Sequence, residues 1–167
     1  MTESLQALGI GTYDQLFLAA GADKVTAVNA PDDDNTSYLA NTGNPRRESY
    51  TLQASAIPAG STINSITVRA RIRSNGNLGT AQSFLRLGAS EQTGPVNSPG
   101  FAFTDYTDTI SRPGGGAWAL ADLATVEIGI EHQTGGFFAI LTTTLEASID
   151  YTPAATTGGG AMFLVMA

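Results

Sequence analysis

Between Ile63 and Asn75, the apolar residues Ile66, Val68, Ala70 and Ile72 alternate with Thr67, Arg69, Arg71 and Arg73. A period of two held over that length predicts a long β-strand with one buried face. That face needs a second sheet to cover it, so the pattern points to a β-sandwich. The opposite face carries three of the eight basic residues of a chain whose net charge is −7.

Two further stretches repeat the pattern. Val126, Ile128 and Ile130 alternate with Glu127, Gly129 and Glu131, and Leu145, Ala147, Ile149 and Tyr151 alternate with Glu146, Ser148 and Asp150. Their acidic faces are expected to complement the arginine row, at roughly 0.2 to 1 kcal/mol per cross-strand pair. Phe137 to Thr142 is expected to pair by a hairpin across Thr134-Gly135-Gly136. Ala81 to Leu87 reads as the hairpin partner of the long strand, which Pro58-Ala59-Gly60 introduces by a turn.

Shorter strands are read at Leu16–Ala20, Lys24–Ala30, Thr36–Ala40, Glu48–Ala54 and Phe101–Ile110, the fourth with Tyr50 and Leu52 on one face. Gly88–Gly100 and Ser111–Gly116 read as exposed loops. One short helix is expected near 117–124, with Trp118 and Leu123 plugging an end of the sandwich. The first eleven residues, interrupted by two glycines, read as an arm or a single turn. The reading is thus an all-β, antiparallel β-sandwich, of the jelly-roll type that the resemblance given below implies, with extended terminal arms: an N-terminal arm at 1–15, the sandwich at 16–153, and a tether with an apolar arm at 154–167.

Composition narrows the function more by exclusion than by indication. The 167 residues suit one domain with a core that needs no staples. The absence of cysteine rules out disulfides, thiolate metal sites and a cysteine nucleophile. The net acidity argues against nucleic acid as a partner. No apolar run approaches the roughly 18 to 20 residues of a membrane span, and Met1–Gln15 does not resemble a secretory signal. His132 is the single histidine, no G-x-S-x-G is present, and the glycine runs at 114–116 and 158–160 lack a following Lys-Ser or Lys-Thr. The expectation is a non-enzyme without a cofactor. Asp32, Asp33 and Asp34 allow two readings, a calcium loop or a plain turn with one aspartate capping backbone amides.

After Pro153 the chain becomes small and flexible, and Ala161-Met162-Phe163-Leu164-Val165-Met166-Ala167 is then almost wholly apolar. Burying the five side chains Met162, Phe163, Leu164, Val165 and Met166 gains roughly 8 to 15 kcal/mol. Ordering seven backbone residues at about 1 to 2 kcal/mol each nearly cancels that gain. A final strand of its own sandwich and an arm buried in a neighbour are both open. The expected role is the second, with these five residues as an assembly interface whose strength comes from several arms acting together.

Taken in order, Asp32-Asp33-Asp34-Asn35-Thr36-Ser37-Tyr38-Leu39, Ile57-Pro58-Ala59-Gly60-Ser61-Thr62-Ile63-Asn64-Ser65-Ile66-Thr67-Val68, Gly116-Ala117-Trp118 with Ala121-Asp122-Leu123, and Leu145-Glu146-Ala147-Ser148-Ile149-Asp150-Tyr151-Thr152-Pro153 resemble jelly-roll-like virion proteins of tailed bacteriophages. The resemblance spans roughly 25 to 153. It implies a structural protein made in the host cytoplasm and placed on the capsid exterior. There it would be a decoration protein whose partners are the major capsid protein and itself, as a homotrimer, or else a tail- or fibre-associated module. It implies no catalytic residue. A carbohydrate-binding module on the same sandwich is the other function class, with the loops at 88–100 and 111–116 presenting Tyr106 or Trp118 to a sugar.

Overall fold

The computed structural model describes residues 1–29, 36–42, 45–76, 79–134 and 139–155, and the side chains of Thr42 and Thr134 are not described. Ten strands form the sandwich: β1 Thr2–Asp14, β2 Phe17–Ala20, β3 Tyr38–Thr42, β4 Arg46–Leu52, β5 Thr62–Ser74, β6 Gly79–Leu87, β7 Ser90–Asn97, β8 Thr104–Ile110, β9 Val126–Thr134 and β10 Ala139–Thr152. One layer runs β2-β3-β10-β5-β8 and the other β4-β9-β6-β7, and every ladder is antiparallel. The long strand read from the alternation is β5. Its residues Ile66, Val68, Ala70 and Ile72 are wholly buried. Facing them in the same core are Leu85, Val126, Ile128 and Ile130 of the second layer.

Residues 1–15 are not an arm. Thr2–Gln6 pair with β10 and Ala7–Asp14 pair with β4, so β1 belongs to both layers and closes one side of the sandwich. The two glycines that suggested an arm lie in the part of the strand paired with β4, beside its irregularities. A Cβ at Gly11 would run into Glu127 and Ser49, where the strand bulges over its neighbour. At the crossover itself, the Asn29 side chain accepts from the Ala7 N–H at 3.1 Å and donates to its carbonyl at 2.7 Å, standing in for a strand partner.

Asn29 is placed by a helix, α1, Lys24–Asn29, where the sequence predicts a strand through Ala30. Two local contacts outweigh the β-branched Val25, Thr26 and Val28. Asp23 accepts from the Thr26 N–H at 2.8 Å and from its hydroxyl at 2.8 Å, and the turn buries Ala27 and Val28 completely.

Two pairings and one loop differ from the sequence reading. β6 joins β9 and β7 in the opposite layer rather than returning beside β5. Most of the stretch 88–100 is strand β7, an exposed edge, because its alternation is polar on both faces and leaves no hydrophobic signature. β9 and β10 lie in different layers and share no ladder among the described residues, and residues 135–138, where the hairpin is expected, lie outside them. The expected helix shrinks to a 3-10 turn, Leu120–Ala124, that buries Leu123. Asp32–Asp34 and Met162–Met166 also lie outside the described residues.

The arginine row does form a cross-strand ladder. Arg69 meets Asp105 at 2.9 Å and Glu146 at 3.3 Å, and Arg71 meets Asp105 at 3.3 Å. The acids of β9 answer other cations, with Glu127 3.3 Å from Arg86 and Glu131 3.2 Å from Arg47. No helix among the described residues is long and apolar enough to cross a membrane.

Phe84 is fully buried although its register places it on the outer face of β6, opposite Gly129. The ring lies on that glycine, capped by the Arg47 guanidinium 4.4 Å from its centroid and by Tyr13 edge-on at 5.8 Å. A methyl at Gly129 would run into the ring. Gly129→Ala is expected to lower stability by about 1 to 3 kcal/mol, the usual penalty of overpacking. A urea titration checks this, and an unchanged midpoint would show that the ring is free to move away.

Candidate functional site

The segment from Ser111 to Ala124 separates two clefts. On one side, Asn64 and Ser65 of β5, Thr109 of β8, and Ser111, Arg112 and Trp118 of the following loop line an open cleft of about 310 Å³. On the other, Leu8, Leu52, Ile57, Leu120, Leu123 and Ala124 line one of about 440 Å³.

The loop that carries Trp118 is held by a small electrostatic frame. Gly114, Gly115 and Gly116 have φ of 82°, 80° and 77°, a left-handed run that side chains resist. Arg112 donates to the Gly115 carbonyl at 2.8 Å and clasps Asp122 with two bonds, of 2.8 and 3.2 Å. Asp122 also accepts from the Ala119 N–H at 2.9 Å. The hydrogen-bonded Arg112 guanidinium holds the Asp122 carboxyl below the usual carboxylate range. Trp118 is thereby pinned with part of its indole against the core and part in the cleft.

Across from it, Asn64 donates to Asp150 at 2.9 Å and to Thr152 at 3.2 Å, which fixes its amide. The Ser65 and Ser111 hydroxyls have no protein partner among the described residues. An aromatic face beside oriented amide, hydroxyl and guanidinium groups can stack an apolar ring face while bonding to its polar edge. Tyr106, the other aromatic singled out by sequence, faces the core side of β8, and its hydroxyl reaches the Ser98 carbonyl at 3.4 Å. It is not at this cleft.

His132 is fully buried and meets the Thr142 hydroxyl at 2.7 Å through Nε2. Burial pushes its imidazole down to about 3, so it stays neutral. It lies in neither cleft. Among the described residues no group of three or more His, Asp or Glu could hold a metal ion.

One charged cluster escaped the sequence reading. Glu48, completely buried on β4, accepts from the Leu16 N–H at 2.9 Å and from Lys24 at 3.2 Å, and Lys24 also bonds Asp14. This clasp ties the end of β1 and the start of α1 to β4. The only signal available was a glutamate in the inward register of Tyr50 and Leu52. Burial raises the Glu48 carboxyl to about 7 from an ordinary 4.5, against the opposing pull of the Leu16 N–H and Lys24.

No family model matches this sequence, and none of the curated proteins matches it. Among solved structures, a carbohydrate-binding module of family 29 is similar over 89% of each chain, with 10% identity and a TM-score of 0.51. The CBM36-1 domain of a multidomain xylanase from the hindgut metagenome of Trinervitermes trinervoides is similar over 90% of this chain and 97% of that one, with 16% identity and a TM-score of 0.44. The first likeness bears on the fold, and with the strand topology it defines an antiparallel β-sandwich of jelly-roll type. Neither structure is a virion protein by its description, so the phage resemblance gains nothing from them.

Because the folded pKa of Glu48 lies above the unfolded one, the folded chain keeps a proton that the unfolded chain has released. The associated stability is present below about 4.5 and is lost as pH rises through about 7. Glu48→Gln is expected to flatten the fall in stability between those values, measured as the urea midpoint at half-unit pH steps. A variant whose pH profile overlays that of the parent chain would show that the carboxyl does not titrate in that window.

Proposed function

We propose that this chain is a non-catalytic carbohydrate-binding β-sandwich whose ligand cleft lies at Trp118. The observation that carries this reading is the half-buried indole in a cleft of about 310 Å³ beside Asn64, Ser65, Ser111 and Arg112. The size suits a small ligand, and one aromatic platform with a few oriented polar groups matches the two-faced chemistry of a sugar ring. The jelly-roll likeness to a carbohydrate-binding module of family 29 supports the same reading at the level of fold.

A second reading keeps the sandwich on a virion, with the phage major capsid protein and further copies of itself as partners. It is favoured by large apolar side chains left open on β1, where Leu8 is 63% and Ile10 39% exposed, and by the apolar segment that holds Met162–Met166. Such side chains in groups mark contact surfaces more often than free ones. Detection of the chain at high copy number in purified phage particles would favour this reading, and its absence from them would remove it.

The carbohydrate reading is tested with the folded chain and its Trp118→Ala variant against an array of polysaccharides and by calorimetry on any hit. The variant is expected to keep its unfolding midpoint within a few degrees and to bind at least about 30-fold more weakly, the scale of losing a central aromatic contact of about 2 kcal/mol. No binding by the parent chain to any polysaccharide, or equal binding by the variant, would overturn the assignment.

A further inference from the structure

The outer face of β5 carries a cation that the Trp118 cleft does not use. Arg73 is half-buried, and its guanidinium sits 5.0 Å from the centroid of the Phe103 ring. Among the described residues the other half-buried cations all meet carboxylates: Lys24, Arg47, Arg69, Arg71, Arg86 and Arg112. Arg73 meets none of them, and its buried Nε has no acceptor. We propose that Arg73 and Phe103 form a second binding site, for the carboxylates of an acidic polysaccharide. It stands eight residues along β5 from Ser65 of the Trp118 cleft, about 27 Å at the usual strand rise. The choice of a sugar polymer rests on the carbohydrate reading, whereas the carboxylate does not.

The chain itself shows what such an arginine takes. Arg47 is stacked in the same way, 4.4 Å from the Phe84 centroid and 4.6 Å from that of Tyr13, and it is met by Glu91 at 2.8 Å and Glu131 at 3.2 Å. Aromatic stacking occupies the flat side of a guanidinium and leaves its N–H edge for a planar anion. At Arg73 that edge lacks an anion. On the same face Arg69 and Arg71 take the neighbouring acids, Asp105 and Glu146, so a positive charge is left over in a chain of net charge −7. Residues 43–44, 77–78, 135–138 and 156–167 contain no Asp or Glu. Of the stretches outside the described residues, only 30–35, with Asp32–Asp34, could offer one.

The surroundings favour a sugar polymer over a protein side chain. A lone exposed ion pair gains little, because two long side chains must be ordered to make it. A uronate polymer carries its carboxylate on a rigid ring and repeats it, so less freedom is lost and neighbouring rings rebind. For the ring faces there are Phe103 and Tyr38, half-buried around the small apolar cluster of Ala40, Ala139 and Leu141, and Phe101, 62% exposed. Leu141 stands opposite Arg73, and the Ser74 N–H donates to the Gly100 carbonyl at 2.8 Å, which brings the segment carrying Phe101 beside the end of β5.

Calorimetry compares polygalacturonate with its methyl ester, which keeps the rings and removes the charge. The parent chain is expected to prefer the acid by about tenfold or more, the scale of charge-assisted hydrogen bonds. Arg73→Gln is expected to lose that preference, Trp118→Ala to keep it, and Arg73→Lys, with the charge but not the fork, to fall between. Thermal unfolding checks the fold of each variant. Amide shifts of the parent chain on adding galacturonate oligomers need no substitution, and are expected to move around Arg73 and Phe103. Binding to neither polymer, equal binding to both, a preference unchanged in Arg73→Gln, or shifts confined to other faces would each overturn the site. Polyglutamate binding as tightly as polygalacturonate would overturn the sugar in favour of an acidic protein. Replacing Asp32, Asp33 and Asp34 by Asn is expected to leave the preference unaltered. A gain that appears only with Arg73 in place would show that those acids already hold it, and would overturn the proposal. An acid preference that stands while Trp118→Ala binds every neutral glycan as the parent does would support this site and remove the Trp118 cleft alone.

Discussion

The pairing of β5 with β10 is the interaction on which the rest of this sandwich depends. The two strands pair from Ile63 opposite Tyr151 to Ser74 opposite Ile140, with an irregularity near each end, and hold one register from Ser65 opposite Asp150 to Arg71 opposite Thr144. Along that length one face places Ile66, Val68 and Ala70 beside Ile149, Ala147 and Leu145 in the core. The other face sets Arg69 against Glu146. A slip by one residue would exchange the two faces, exposing the apolar row and burying arginines without partners. Burial and charge therefore fix the same register. On its other edge β10 holds β3 along its first half and β1 along its second, so both ends of the layer inherit that register.

The second layer is attached through β1, and the attachment uses polar contacts where the ladder breaks. Between its pairings with β10 and β4, the strand is steadied by the Asn29 amide on Ala7. Where it bulges, the Thr12 N–H and hydroxyl are received by Glu127 at 2.8 and 2.7 Å, and the Tyr13 N–H by the Ser49 hydroxyl at 3.0 Å. The bulge carries Tyr13 over Phe84, building a small outer cluster closed by Arg47 and Glu91. These contacts satisfy backbone groups that a bulged strand would otherwise leave unpaired.

Both clefts flank one short segment, Ser111 to Ala124, and neither is built from the regular faces of the sheets. The sandwich supplies rigid walls through β1, β5 and β8. The loop supplies the indole on one side and apolar side chains on the other. This division lets one fold carry unrelated binding roles, because loops change without disturbing a core that is already closed.

The sequence by itself determined the layered all-β architecture, the buried rows of β5, β9 and β10, and the value of Trp118 and Leu123 at one end. These are local periodicities and single bulky side chains, and each can be read within a few residues. It did not determine which strands meet. The partners of β6, the edge strand β7 and the incorporation of residues 1–15 depend on neighbours distant in the chain. Polar alternation and scattered glycines look alike in a loop and in an edge strand. The helix at Lys24–Asn29 was hidden because its cap, Asp23, had to outweigh a β-branched stretch, and that balance is struck only when Ala27 and Val28 find a core to enter. Glu48 and the glycine beneath Phe84 were hidden for a related reason. A buried carboxylate or a missing side chain acquires meaning only from what the tertiary structure places against it: Lys24 and the Leu16 N–H in one case, an aromatic ring in the other.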